Sequence, residues 1–296
     1  MLTDLIGIPI QALAGQLLLG LINGSFYAML SLGLAIIFGL LHIINFTHGA
    51  QYTMGAFAAW MGLTYAGIDY WWALLLAPLA VGLIGVAIER LLLIRIRNLP
   101  ALYGLLLTFG LALIIQGLFR NYFGASGLRY PIPAALSSGT NLGFMFLPHY
   151  RAWVLFISLA VCLVTWFLIE RTSVGSTLRA AQENPNLVEA FGINVPRLIT
   201  ITYGAGVARA AFAVVLAAPI YSVQPQMGAD LLIVVFAVVV IGGMGSILGS
   251  VVTGLGLGLV EGLTKVFYPE ASSVVIFFIM ILVLMVKPEG LFGRAS

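Results

Sequence analysis

Along its length the chain alternates long apolar stretches with short polar breaks. Runs such as Trp71–Ile88, Trp153–Ile169 and Leu231–Ile241 are continuously apolar and lack the every-other-residue rhythm of a half-buried strand. A transmembrane barrel needs that rhythm in strands of about 10 residues. A helix crossing the hydrocarbon core needs about 20 apolar residues in succession. The pattern therefore predicts helices over Ala12–Phe38, Ala50–Tyr65, Trp71–Leu93, Ala101–Phe119, Arg151–Ile169, Leu198–Tyr221, Asp230–Ile241, Ser246–Lys265 and Ser272–Val286. Arg120–Tyr150 reads as a loop containing Pro and Gly, and Glu170–Arg197 as a polar segment of two short helices. The expected fold is all-α: a polytopic transmembrane bundle of about eight or nine spans. It forms a single domain over residues 1–296, with broken helices near its centre.

Composition sharpens the picture. The chain is 61% hydrophobic and 8% charged, against about 25% charged in soluble domains. There is too little charge to cover a water-facing surface, so lipid is the expected solvent. The single cysteine, Cys162, excludes an internal disulfide and a Cys-rich metal site. The N-terminal stretch carries Asp4 and no early basic residue, so it does not read as a cleaved signal peptide. A net charge of +3 is no nucleic-acid signature. Its distribution matters more. Arg90, Arg95 and Arg97 follow the third span, Arg171, Arg179 and Arg197 lie in the polar segment, and Lys287 and Arg294 follow the last span. The excess places these ends in the cytoplasm and Asp4, Asp69, Asp230 and Glu270 outside. Arg120, Arg129 and Arg151 then also fall outside, against the trend.

Three segments carry candidate chemistry. In Glu170–Arg197, Asn184 suits a helix cap, Pro185 the first helical position and Gly192 the helix end. Leu187, Val188 and Phe191 supply an apolar patch beside Glu183 and Glu189. Such a helix either docks into a groove on a soluble partner or lies on the headgroups. In the stretch His42–Gly49, which reads as a break between the first two spans, Asn45, Thr47 and His48 need polar partners at membrane depth. Either a translocation path or a buried hydrogen-bonded knot supplies them. A second Gly-rich break, Gly242–Ser246, falls in the other half, and paired interruptions point to a central path. Arg209 sits half-way along the sixth span. It either faces the path and attracts a solute carboxylate, or pairs with Glu261 or with backbone carbonyls.

Absences narrow the class. No P-loop, zinc-protease helix motif or nucleophile elbow is present. His42, His48 and His149 do not make a catalytic cluster. Glu261 is the one acid expected deep in a span, which argues against a proton- or sodium-coupled carrier. The expectation is a transport protein, not an enzyme.

Several short motifs occur in a fixed order. Asn23-Gly24-Ser25-Phe26-Tyr27-Ala28 and Ser31-Leu32-Gly33-Leu34 lie in the first span, followed by Ile44-Asn45-Phe46-Thr47-His48-Gly49. Ser176-Thr177-Leu178-Arg179-Ala180-Ala181 and Ala190-Phe191-Gly192-Ile193-Asn194 mark the polar segment. Ala218-Pro219-Ile220-Tyr221, Gly228, Gly242-Gly243-Met244-Gly245-Ser246 and Lys287-Pro288-Glu289-Gly290-Leu291-Phe292-Gly293 follow. Together they resemble the LivH-type permeases of the branched-chain amino acid ABC importers across nearly the whole chain. The chain departs from that pattern at Ala50 and Gln51, where an acid often follows the His-Gly pair, and at Arg209.

The resemblance implies a multi-pass permease subunit of the bacterial inner membrane that moves branched-chain amino acids or related small polar solutes inward. It implies a homologous second permease chain, two ATP-binding subunits and a periplasmic or extracellular solute-binding protein. ATP and Mg would be bound by those partners, with no cofactor in this chain. Arg179, Glu183, Leu187, Glu189, Phe191 and Gly192 would meet the ATPase. The path is expected at Asn23, Ser25, Tyr27, Asn45, Thr47, His48, Arg209, Gly243 and Ser246. The alternative is a stand-alone secondary transporter or channel for urea, an amide or a carboxylic acid.

Overall fold

A computed structural model describes residues 9–41, 45–97 and 99–293; Asp4, His42, Ile44 and Arg294 of the readings above lie outside them. The helices are α1 (Ile10–Leu41), α2 (Thr47–Ala66), α3 (Tyr70–Ile96), α4 (Ala101–Phe123) and α5 (His149–Arg171). There follow α6 (Ser173–Glu183), α7 (Pro185–Ala190), α8 (Val195–Ala217), α9 (Met227–Gly242), α10 (Ile247–Phe267) and α11 (Val275–Val286). Every predicted span falls on one helix. Differences lie at the ends, where local chemistry acts. Helix α8 starts three residues earlier than predicted, because Asn194 accepts the amide of Arg197 at 2.9 Å and Pro196 occupies the first turn. Helix α2 closes on Gly67 at φ 63°, whose amide returns to Leu63 O at 3.2 Å.

The loop between α4 and α5 holds an antiparallel ribbon that the sequence reading did not foresee. Strand β1 (Gly139–Asn141) pairs with β2 (Phe146–Pro148), with Thr140 opposite Leu147. Irregular backbone of this kind belongs outside the hydrocarbon.

Helices α1 and α8 are buried along most of their length and form the centre of the bundle. Helices α3, α4 and α5 are peripheral and show apolar stripes outward. Leu75, Leu79 and Leu83 lie exposed on α3, Leu102, Leu106 and Leu113 on α4, and Phe156, Leu163 and Phe167 on α5. Stripes this large are unfavourable in water and at home in acyl chains. Near Ala66, the start of α3 and the start of α5 stand Tyr65, Trp71, Trp72 and Trp153, aromatic residues suited to a membrane interface. At that end Tyr150 donates to Leu216 O at 2.9 Å and joins α5 to α8.

Among the described residues, the most extensive helix pairing is α1 against α10. Gly20 and Gly24 face Gly254, Gly258 and Gly262. A methyl group at Gly254 would lie 2.6 Å from the Ala28 Cα, so the backbones meet only because side chains are missing. Without a hydrophobic drive between helices in lipid, this close approach supplies the dispersion contact that holds the pair.

Candidate translocation path and coupling surface

The first break is a buried polar junction. Asn45 accepts the amide of Thr47 at 3.1 Å on its Oδ1 and donates from Nδ2 to the Tyr203 hydroxyl of α8 at 3.2 Å. Gln51, one turn into α2, donates to the same hydroxyl at 3.0 Å. The Thr47 hydroxyl donates to Thr108 O of α4 at 3.0 Å. His48 Nε2 lies 3.4 Å from Leu30 O of α1. Asn45, Thr47 and His48 are all fully buried, so α1, α2, α4 and α8 are tied together here by bonds within the protein. His48 Nδ1 and Gln51 Oε1 remain buried without a partner. The sequence had marked Asn45, Thr47 and His48, but not Tyr203. Its hydroxyl sits in α8, where Arg209 is the conspicuous polar residue in the sequence.

Of the alternatives open for Arg209, the structure shows the contact to a backbone carbonyl and not the ion pair with Glu261. Arg209 donates from Nε to Ala205 O of its own helix at 3.2 Å, and its Nη1 is buried without a partner. Glu261 accepts instead from Lys265 Nζ at 2.5 Å and from the Tyr27 hydroxyl at 2.8 Å. Equal depth along two helices did not mean facing sides.

Glu261 is also not the only deep acid. Glu89 is wholly buried where α3 opens into a π-helical turn, Glu89–Leu93. Its two oxygens take Arg97 Nη2 at 2.5 Å and the Thr200 hydroxyl of α8 at 2.6 Å. Glu89 is not evident from the sequence, where Arg90 beside it belongs to the basic end of the span. The signal was there: an acid followed by the apolar run Leu91–Ile94.

Asn23 and Tyr27 lie on one half-buried face of α1, one turn apart. Asn23 Oδ1 accepts from the Tyr221 hydroxyl at 3.1 Å. Tyr221 lies beyond the end of α8. Partial desolvation and the Glu261 carboxylate push its phenol above the ordinary tyrosine value, while Arg151 draws it back. Asn23, Tyr27, Tyr221, Glu261 and Lys265 therefore form one polar cluster on the α1–α10 seam. Ser25, named with them from sequence, is fully buried and donates to Ile22 O of its own helix at 2.7 Å.

Gly243 and Ser246 lie at the other end of the molecule from that cluster. The second break is the turn joining α9 to α10 at the basic end, not an interruption at depth. Gly243 has φ 98°, and Ser246 caps α10 by accepting the amide of Gly249 at 3.1 Å. The terminal loop clasps this turn: Leu291 N donates to Ile241 O at 2.7 Å and Phe292 N to Gly242 O at 3.1 Å. A cavity of about 610 Å³ opens between the turn, the end of α1 and α6, lined among others by Gly39, Glu170, Arg179, Gln182, Glu183 and Ser246.

Helices α6 and α7 bear out the local reading of Glu170–Arg197. The Asn184 side chain accepts the amide of Leu187 at 3.0 Å with Pro185 opening the helix, and Gly192 ends it at φ 84°. Arg179 pairs with Glu170 at 3.5 Å and also donates to Ile169 O. The expected apolar patch is divided. Val188 is buried with Ala181, Val195 and Tyr203 in one apolar cluster. Leu187 is 55% and Phe191 79% exposed, with Glu183 and Glu189 also exposed beside them. One side of α7 thus anchors the pair to α8, and the other is presented outward.

The chain matches the family described as branched-chain amino acid transport system / permease component over residues 16–284. It is 30% identical to the high-affinity branched-chain amino acid transport system permease protein LivH of Salmonella typhimurium, over 94% of this chain and 95% of that protein. Identity to the corresponding permease protein BraD of Pseudomonas aeruginosa is also 30%, with the same coverage. A probable branched-chain amino acid transport permease of Methanocaldococcus jannaschii is 25% identical over 92% of this chain and 90% of its own length. No solved structure matches.

Proposed function

The chain belongs to the family of branched-chain amino acid transport permeases, and from that premise we propose that it is one half of the membrane pathway of an ATP-driven importer. A homologous second permease chain completes the pathway. Two ATP-binding subunits, carrying ATP and Mg, grip α6 and α7 from the cytoplasm of a bacterial cell, and a solute-binding protein delivers cargo on the opposite face of the inner membrane. The cargo is leucine, isoleucine, valine or a related small polar solute, as the names of the relatives suggest.

The observation that carries this reading is the two-sided character of α7. Phe191 and Leu187 face outward and offer an apolar knob to a partner groove. Val188, on the inner side, shares its cluster with Tyr203, whose hydroxyl holds Asn45 and Gln51. A push on α6–α7 therefore reaches the junction of α1 and α2 through contiguous packed groups. Asn194, which caps α8, gives the same push a rigid helix to act on. The step this chain performs is a switch between outward and inward access, with no bond made or broken in it.

The test is reconstitution of the complete importer with a Phe191→Asp variant. We expect the ATP-binding subunits to be lost from the purified complex and uptake to cease, while the permease itself stays folded. Retention of both subunits and wild-type uptake would overturn the coupling assignment. Solute movement down a gradient by this chain alone, indifferent to the ATPase, would overturn the importer reading.

A further inference from the structure

We propose that the cluster of Tyr27, Glu261 and Lys265, flanked by Asn23 and Tyr221, is a recognition site for the zwitterionic head of an α-amino acid, set in the outer half of the pathway. The proposal rests on the importer reading above and assigns it a residue-level site.

The first argument is position. The lipid-facing stripes of α3, α4 and α5 are apolar leucine and phenylalanine. The α1–α10 seam instead carries hydroxyls, an amide, a carboxylate and an ammonium, with the Lys265 side chain partly exposed at 36% and that of Glu261 nearly buried at 11%. Glu261 lies more than a turn inside the end of α10, and an acid there faces a bundle interior or a water-filled path, since hydrocarbon does not solvate it; Lys265 stands in the last turn of the helix. A surface left open in the single chain and intolerable to lipid is the wall of the path.

The second argument is chemistry. Glu261 Oε1 and Lys265 Nζ lie side by side at 2.5 Å, and the Tyr27 hydroxyl fixes the second carboxylate oxygen at 2.8 Å. The pair presents a negative and a positive group one helical turn apart. An α-amino acid carries the complementary pair, ammonium and carboxylate on one carbon, and can exchange with the bridge without leaving either charge unpaired. A simple carboxylic acid would place a second carboxylate against Glu261, which like-charge repulsion opposes. A neutral amide has no charge to replace those it would separate, and separated partners are costly. The selection is thus for a solute with both charges.

The third argument is rigidity. Gly24 and Gly258 bring the two backbones into contact, each within one helical turn of Tyr27 or Glu261 in its own helix. The cluster does not depend on loops for its geometry, which suits a site that must hold its shape.

The test uses the complete importer in proteoliposomes with leucine-loaded binding protein. Glu261→Gln, Lys265→Met and the double variant are compared. All should co-purify with the ATP-binding subunits. We expect each single variant and the double variant to lower maximal leucine uptake about tenfold or more, with the half-saturating concentration of loaded binding protein unchanged. A merely structural ion pair behaves differently. Removing both charges together leaves none unpaired, so the double variant would recover wild-type uptake, and that recovery would overturn the proposal. Uptake at wild-type rates by both single variants would do the same. Should the single variants fail to assemble, Tyr27→Phe reads the site while leaving the bridge in place; undiminished uptake there also counts against it. A wild-type complex that imports a neutral amide but not leucine refutes the zwitterion assignment alone. A wild-type complex in which ATP drives no uptake of any solute refutes the importer reading instead.

Discussion

The sharpest stability prediction concerns Glu89. Substituting Gln keeps the volume and removes the charge. Breaking a buried ion pair by removing one partner costs about 3–5 kcal/mol. Arg97 keeps 23% side-chain exposure, so its guanidinium recovers part of its hydration and the lower figure, about 3 kcal/mol, applies. The Thr200 hydroxyl still finds an oxygen, but a bond to a charged acceptor becomes a neutral one, a further loss of about 1 kcal/mol. The sum, about 4 kcal/mol, is close to a thousandfold in the folding equilibrium. The assay is equilibrium unfolding of the purified permease in mixed micelles by SDS titration, followed by tryptophan fluorescence. The double variant Glu89→Gln/Arg97→Met removes both charges and is expected to be more stable than Glu89→Gln alone, a coupling visible in the mutant cycle. Wild-type unfolding of Glu89→Gln, or strict additivity in the double variant, would refute the claim that a buried charge pair joins the end of α3 to α8.

Other expectations follow from the same geometry. Gly254→Ala forces apart α1 and α10 and should cost about 1–3 kcal/mol, whereas Gly110→Ala, with open space around it, should be neutral or slightly stabilising in the same titration. Tyr203→Phe leaves the buried amides of Asn45 and Gln51 short of an acceptor and should cost about 1–3 kcal/mol for each amide left unsatisfied; slowed uptake by an assembled complex is the functional readout. Asn184→Ala removes the α7 cap at a cost of about 1 kcal/mol, read as faster proteolysis between residues 183 and 194. Phe191→Ser, at an exposed position, should change stability by less than about 0.5 kcal/mol while weakening retention of the ATP-binding subunits on an affinity column.

What could be read without coordinates follows a physical rule. Spans are legible because a helix in lipid satisfies its own backbone and needs only apolar length. The α6–α7 pair was legible because caps are local: Asn184, Pro185 and Gly192 act on neighbours within a few residues. Azimuth was not. Partners of Glu89, Tyr203 and Asn23 stand on distant parts of the chain, 111, 158 and 198 residues away in sequence. Depth alone put Glu261 among the candidate partners of Arg209, whereas the lysine one turn along the same helix is its neighbour. Ser25 shows the converse. A hydroxyl in a transmembrane helix can return its bond to its own backbone and need no path at all.

The strap formed by Leu291 and Phe292 under the α9–α10 turn has a practical corollary for observing the cycle. Because it is stitched to the carbonyls of Ile241 and Gly242, the tail travels as a passenger of those two helices and has little freedom of its own. A spin label or dye attached at Phe292, paired with one at the exposed Asn186 on α7, would register how far the motor-facing elbow moves against the far half of the bundle.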